Sequence, residues 1–203
     1  MSILQRLNDE MANVATVVQP GIVRVLTGQN GAGAGTVWHS DGLIITNAHV
    51  VGHGGALRVA LPGGRVLPAQ VIAHSRERDL AALAIEANGL PTIQPGNSSA
   101  LQPGDWVMAL GHPWGVMNAA TSGIVINVGR DLPDMGSTAH NWVIASLHMR
   151  PGHSGGPLVN VNGQLVGVNT MITGPDVGIA VAVDEVKDFL KRTIGSTTPA
   201  NMV

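Results

Sequence analysis

Serine 154 sits in the run Pro151-Gly152-His153-Ser154-Gly155-Gly156-Pro157, where glycines on both sides let the backbone bend sharply and leave the hydroxyl accessible. In such a bend the N–H groups of Gly152 and Ser154 can turn toward one point, which is what a developing oxyanion needs. A serine hydroxyl is a weak nucleophile at neutral pH, so acyl transfer also demands a general base within hydrogen-bond reach and a group to orient that base. His49 follows Leu43-Ile-Ile-Thr-Asn-Ala48, the end of an apolar strand, and Asp79 precedes the apolar run Leu80 to Ile85. Taken singly, each has a plainer reading: a Gly-Pro turn for the serine, a structural histidine at a strand end, a carboxylate at a strand start.

Short β-rich runs punctuated by glycine and proline surround these positions. Ile22–Leu26, Gly35–Trp38, Leu43–Thr46, Leu57–Leu61, Val66–Ala73 and Leu80–Ile85 form a first set, with Pro62-Gly63-Gly64 as a hairpin turn. Trp106–Leu110, Thr121–Val128, Trp142–Leu147, Pro157–Val161, Leu165–Met171 and Gly178–Val183 form a second, and the polar, proline-containing residues 87–104 connect them. The spacing predicts an all-β fold of two small barrels, about 20–90 and 100–183, with His49 and Asp79 on the first and Ser154 on the second. Ile3, Leu7, Met11, Val14 and Val18 recur at helical spacing and predict an N-terminal helix within residues 1–19 that packs on the domain or on a neighbouring subunit. Asp184 is expected to cap a C-terminal helix over 184–193 that buries Val186, Phe189 and Leu190. Residues 194–203 read as a disordered tail.

Composition excludes several classes. Only 12% of the 203 residues are charged and the formal net charge is −2, so the cationic surface that nucleic acid requires is missing. Apolar stretches break well short of the roughly 20 residues needed to span a bilayer. With no cysteine, a disulfide framework and a cysteine nucleophile are both excluded. His112, His140, His148 and His153 lack the paired spacing of metal ligands, so neither metal nor cofactor is expected.

Thr46-Asn-Ala-His-Val-Val51, Asp79-Leu-Ala-Ala-Leu83, Gly96-Asn-Ser-Ser99, Ala109-Leu-Gly-His-Pro-Trp114, Thr121-Ser-Gly-Ile-Val125, Pro151-Gly-His-Ser-Gly-Gly-Pro-Leu158 and Val166-Gly-Val-Asn-Thr170 stand in this order. Together they resemble the HtrA (DegP-type) serine proteases of the chymotrypsin-like class, over about residues 12–190. The resemblance implies a trypsin-like double β-barrel and a serine endopeptidase that cleaves unfolded or extended polypeptides. It implies Ser154 as nucleophile, His49 as general base and then acid, and Asp79 as the group that orients and stabilises the imidazolium. The oxyanion hole falls on Gly152, His153 and Ser154, with the N–H groups of Gly152 and Ser154 as its donors. His148, Met149 and Arg150 fall near the floor of the primary pocket, and substrate is expected to pair with the edge formed by Val168, Asn169, Thr170 and Met171.

This chain departs from the family at two places. His153 stands where the family usually has asparagine, and Ala145-Ser-Leu-His-Met-Arg-Pro151 replaces the usual Thr-Asp-Ala-Ala-Ile-Asn-Pro. No acid lies in that segment, so a small or aliphatic side chain is expected before the cut. With Gly152 free to take either sign of φ, the Arg150–His153 loop is expected to switch between a formed and a collapsed oxyanion hole. A weakly catalytic peptide-binding or chaperone-like module on the same fold is the competing reading. The resemblance leaves a homotrimer and a monomer both open. After residue 190 a PDZ domain of about 90 residues does not fit, so the chain is expected to be a fragment or a stand-alone protease. The opening residues carry no secretory apolar core; a native Met1 implies the cytoplasm, and a trimmed piece an extracytoplasmic compartment.

Overall fold

The computed structural model describes residues 1–28, 32–52, 55–132, 136–173 and 175–195. Helix α1 (Ile3–Val18) leads into strands β1 (Ile22–Leu26), β2 (Ala32–His39) and β3 (Leu43–Thr46), the single-turn helix α2 (Ala48–Val51), then β4 (Leu57–Ala60), β5 (Val66–Ser75) and β6 (Leu80–Ile85). After the connection come β7 (Trp106–Gly111), β8 (Ala119–Leu132), β9 (Gly136–Ser146), β10 (Pro157–Asn160), β11 (Leu165–Thr173), β12 (Val177–Ala182) and helix α3 (Val183–Thr193). Each set of six strands closes on itself, in the orders β1-β2-β3-β6-β5-β4 and β10-β11-β12-β9-β8-β7. Closure leaves every strand paired on both sides over part of its length, so no long open edge remains in either barrel.

Why the strands read as nearly continuous apolar runs is clear from β3. Ile44 points into the first barrel beside Val23, Val37 and Leu83, whereas Leu43 and Ile45 point outward into a larger core with Trp38, Leu80, Leu110, Val159 and Phe189. Both faces of the strand are therefore buried, and strict polar alternation is lost. The second barrel has its own interior of Val107, Ala109, Val143, Leu158, Val166 and Ala180. The outward-facing core joins the two barrels and both long helices, which fixes the cleft between them. The Pro62-Gly63-Gly64 turn closes the β4–β5 hairpin with both glycines at φ +89°, and Leu61 N–H donates to the Arg65 carbonyl at 2.8 Å.

The helix termini differ from the sequence reading. Of the expected α1 face, Val14 and Val18 are buried and Met11 packs against the core, but Ile3 is 83% exposed and Leu7 is also exposed. Only the last two turns of α1 reach the barrels. Helix α3 begins one residue earlier than expected, its N-cap is Ala182, and Asp184 does not cap it. The Asp184 carboxylate is drawn away instead, accepting from Ser98 Oγ at 2.7 Å, Ser99 N–H at 3.1 Å and Lys187 Nζ at 2.9 Å. These contacts tie α3 to the inter-barrel connection. At the other end Ile194 is buried, and Gly195 N–H donates to the Leu190 carbonyl; the rest of the expected tail lies outside the described residues.

Phe189 is the largest fully buried side chain and sits where α3 meets both barrels. Phe189→Ala is expected to lower unfolding free energy by about 3–5 kcal/mol. Leu4→Ala, on the exposed part of α1, should change it by less than about 0.5 kcal/mol. Urea denaturation of the two variants checks both values.

Candidate active site

Two residues of the first barrel meet directly. His49 lies on α2, immediately after β3, and its Nδ1 stands 2.8 Å from Asp79 Oδ2 and 3.0 Å from Oδ1. The His49 backbone N–H also donates to Asp79 Oδ1, at 3.0 Å. Asp79 takes a left-handed φ of +51°, uncommon for a residue with a side chain. Asn47, fully buried, holds it there by donating from Nδ2 to the Asp79 carbonyl at 2.9 Å. Burial pushes the Asp79 carboxyl upward, but hydrogen bonds from the His49 ring, Thr170 and the His49 backbone outweigh it and keep the group below its ordinary value. Asp79 is therefore ionised and faces the Nδ1 side of the His49 ring.

On the second barrel, Ser154 begins the turn into β10. Its Oγ donates to the Thr170 carbonyl at 3.1 Å, and no hydrogen bond joins it to His49. The same threonine turns its hydroxyl to Asp79, with Thr170 Oγ1 donating to Oδ2. A register shift in β11 between Asn169 and Met171 makes Thr170 the extra residue of a bulge, which aims it at the cleft. Thr170 thus touches the acid and the serine at once. Further links lock the serine turn to the first barrel: Ala34 N–H donates to the Ser154 carbonyl at 2.8 Å and Thr36 Oγ1 to the Gly155 carbonyl at 3.4 Å. Gly155 is required at this junction, because its φ is +83° and a Cβ would lie 2.1 Å from the Ala34 carbonyl oxygen.

The oxyanion loop is anchored from behind. Gly152, at φ +106°, has its carbonyl engaged by His112 N–H at 2.9 Å, and a Cβ there would meet the His112 oxygen at 2.6 Å. His153 N–H donates to the Arg150 carbonyl at 3.0 Å, closing a tight turn across Pro151 and Gly152. That donor is committed to the turn, whereas the N–H groups of Gly152 and Ser154 take no acceptor among the described residues. Buried His153 supports the turn through Nδ1, which lies 3.0 Å from Arg150 N and 3.1 Å from Arg150 O. Burial depresses its pKa, with the Arg150 charge acting in the same direction and the Arg150 backbone opposing.

Beside Ser154 lies a recess of about 230 Å³ lined by Met149, Arg150, Pro151, His153, Thr170, Met171 and Ile172, of which Pro151 and Ile172 were not singled out from the sequence. His148 is absent from that lining; it is exposed and its Nδ1 forms a short pair with Asp176. Val168 pairs with Pro157, and Asn169 exchanges backbone hydrogen bonds with Gly155 and Gly156, so neither offers a free edge. The open part of β11 on this side starts at Thr170. Among the described residues no group of three or more His, Cys, Asp or Glu side chains forms a metal site, and no helix is long and apolar enough to cross a membrane.

The trypsin-like peptidase domain family matches residues 33–168. Mitochondrial serine protease HTRA2 of Bos taurus is 39% identical over 163 residues, covering 79% of this chain and 36% of that protein. The protein HhoB of Synechocystis sp. is 37% identical over 157 residues, covering 76% of this chain and 38% of its own length. The solved structure of an HtrA-type protease, AlgW with a tripeptide, superposes with a TM-score of 0.84 at 29% identity, over 91% of this chain and 64% of that one. The chain spans less than half the length of these two curated relatives.

The buried histidines behind the loop make stability acid-sensitive. Burial pushes His112 down to about 4, with the Arg24 and His153 charges acting the same way and the Val23 backbone opposing. Unfolded, the imidazole titrates near 6.5, so between about pH 6.5 and 4 the unfolded chain binds a proton that the folded chain does not. Thermal unfolding temperature is expected to fall across that window and to fall less in His112→Asn, a comparison open to calorimetry at stepped pH.

Proposed function

The chain belongs to the trypsin-like peptidase family, with HtrA-type serine proteases as its relatives, and from that premise we propose that it is a serine endopeptidase acting on unfolded or extended polypeptides. The observation that carries this reading is the Asp79–His49 pair joined to Ser154 through Thr170. Substrate adds as a strand along β11 from Thr170 onward, and the side chain before the cut enters the recess between Met149, Met171 and Ile172. These side chains and the absence of an acid from that lining favour small or medium aliphatic residues over lysine or arginine.

Catalysis starts when Ser154 Oγ rotates from the Thr170 carbonyl and gives its proton to His49 Nε2 while attacking the scissile carbonyl carbon. The new oxyanion accepts from the N–H groups of Gly152 and Ser154, each donor contributing about 3–4 kcal/mol in comparable sites. The imidazolium, stabilised by Asp79, then protonates the leaving amine, and the C–N bond breaks to give an acyl-serine. Water, deprotonated by the same imidazole, repeats the sequence in reverse and releases the acid product.

The resting serine supports a second reading. With Ser154 Oγ turned to the Thr170 carbonyl, a peptide-binding module that turns over weakly is also consistent. Digestion of casein decides between them. The protease reading expects cuts after aliphatic residues, with Ser154→Ala and His49→Ala each lowering turnover by about 10⁴-fold or more. Peptide binding without cleavage by the wild-type protein would favour the binding module.

A further inference from the structure

On the far side of the nucleophile from β11 stands the turn between β7 and β8. In the second barrel β10 lies between β7 and β11, so the Ser154–Gly156 turn that feeds β10 has Asn169 on one flank and Leu110 and Gly111 on the other. If the acyl part of a substrate lies along β11, the part after the scissile bond leaves over the β7–β8 turn. That turn carries Trp114, which is 72% exposed although its backbone sits at φ +52° and ψ +22°. Left-handed backbone costs a residue with a side chain about 1–2 kcal/mol, and here it holds a large apolar ring in water beside the oxyanion loop.

The ring is not alone. The Arg150 guanidinium lies 5.3 Å from the Trp114 ring centroid, a cation–π distance, and Arg150 is exposed. Across the turn, Arg24 reaches the vicinity of Gly115, with Nη2 3.9 Å from where a Cβ would sit, and its Nε is buried without a partner. Among the described residues no carboxylate pairs with Arg24 or Arg150. One guanidinium with no carboxylate partner therefore lies over an exposed ring beside the oxyanion loop, and a second reaches Gly115 in the same turn. A guanidinium over a ring face keeps its N–H edge free for a carboxylate.

We propose that Trp114 and Arg150, with Arg24 behind them, form a leaving-side subsite that selects substrates carrying a carboxylate within the first two positions after the cut. The subsite rests on the protease reading above. It shares Arg150 with the recess for the residue before the cut, and it makes selection depend on both sides of the scissile bond. The carboxylate comes either from an aspartate or glutamate side chain or from a nearby free C-terminus.

The test uses internally quenched peptides with one fixed aliphatic residue before the cut. The two positions after it carry Glu, Gln or Lys, and the chain ends there as a free acid or continues as an amide. We expect kcat/KM for Glu to exceed that for Gln by about fivefold, with Lys lower still and the contrast shrinking as salt is raised. Arg150→Gln should abolish the Glu-to-Gln ratio, Arg150→Lys should keep part of it, and Trp114→Ala should reduce it. A gain from the free acid alone would assign the subsite to a chain terminus. Equal rates for Glu and Gln with either terminus, a ratio that survives Arg150→Gln, or a gain only from an acid before the cut would overturn the proposal. Binding of the same peptides to Ser154→Ala, read by fluorescence anisotropy, separates the two levels. Acid-dependent binding without any wild-type cleavage would remove the protease reading and leave the subsite; cleavage with charge-independent rates would do the opposite.

Discussion

Thr170 is the residue through which the two barrels share one site. Its hydroxyl donates to Asp79 of the first barrel, and its carbonyl accepts from Ser154 of the second. Both contacts depend on the β11 bulge, because a regular strand would turn the threonine away from the cleft. The bulge in turn needs its neighbour fixed. Asn169 does this with side-chain donations to the Leu110 and Pro157 carbonyls, at 3.2 and 2.9 Å, and with its backbone bonds to Gly155 and Gly156. A fully buried amide is retained here because its hydrogen bonds position three strands around the serine.

The same constraint explains the glycines and histidines behind the nucleophile. Gly152 and Gly155 both hold positive φ with backbone atoms packed where a Cβ would stand, so the turn has little room for an alternative shape. His112 and His153 fill the space beneath it as neutral rings, since burial opposes their protonation. In the wider chymotrypsin-like class an aspartate before the nucleophile can be paired by a new N-terminus. Here the residue before Ser154 is an imidazole facing the Arg150 backbone.

Much of this was legible in the sequence, for identifiable reasons. Strands such as Leu43–Thr46 and Leu80–Ile85 were found because both of their faces are buried, which gives unbroken apolar runs between turn residues. His49 and Asp79 stand out because each lies at the border of such a run, Ser154 because glycines lie on both sides of it, and the structure brings His49 and Asp79 into contact. What sequence could not give was orientation. Thr170 fell within the expected substrate edge, but its link to Asp79 depends on a bulge that no spacing rule reports. His148 was expected near the pocket floor and instead pairs with Asp176 at the surface, a contact between residues 28 positions apart. Asp184 satisfied the composition rule for a cap but was captured by Ser98 and Ser99 from the inter-barrel connection. Trp114 closes one of the quoted motifs, but its left-handed backbone is not legible there, because that conformation at a non-glycine residue is set by packing around it.

If the Ser154 hydroxyl is the nucleophile and His49 its base, Ser154 becomes covalently acylated during turnover. Brief incubation with an activated ester, an acid quench and peptide mapping by mass spectrometry read that step directly. One acyl group per chain is expected, on Ser154, with none at that position in Ser154→Ala and a greatly reduced yield in His49→Ala. Peptide cleavage that proceeds with no adduct, or with the acyl group on another residue, would contradict it.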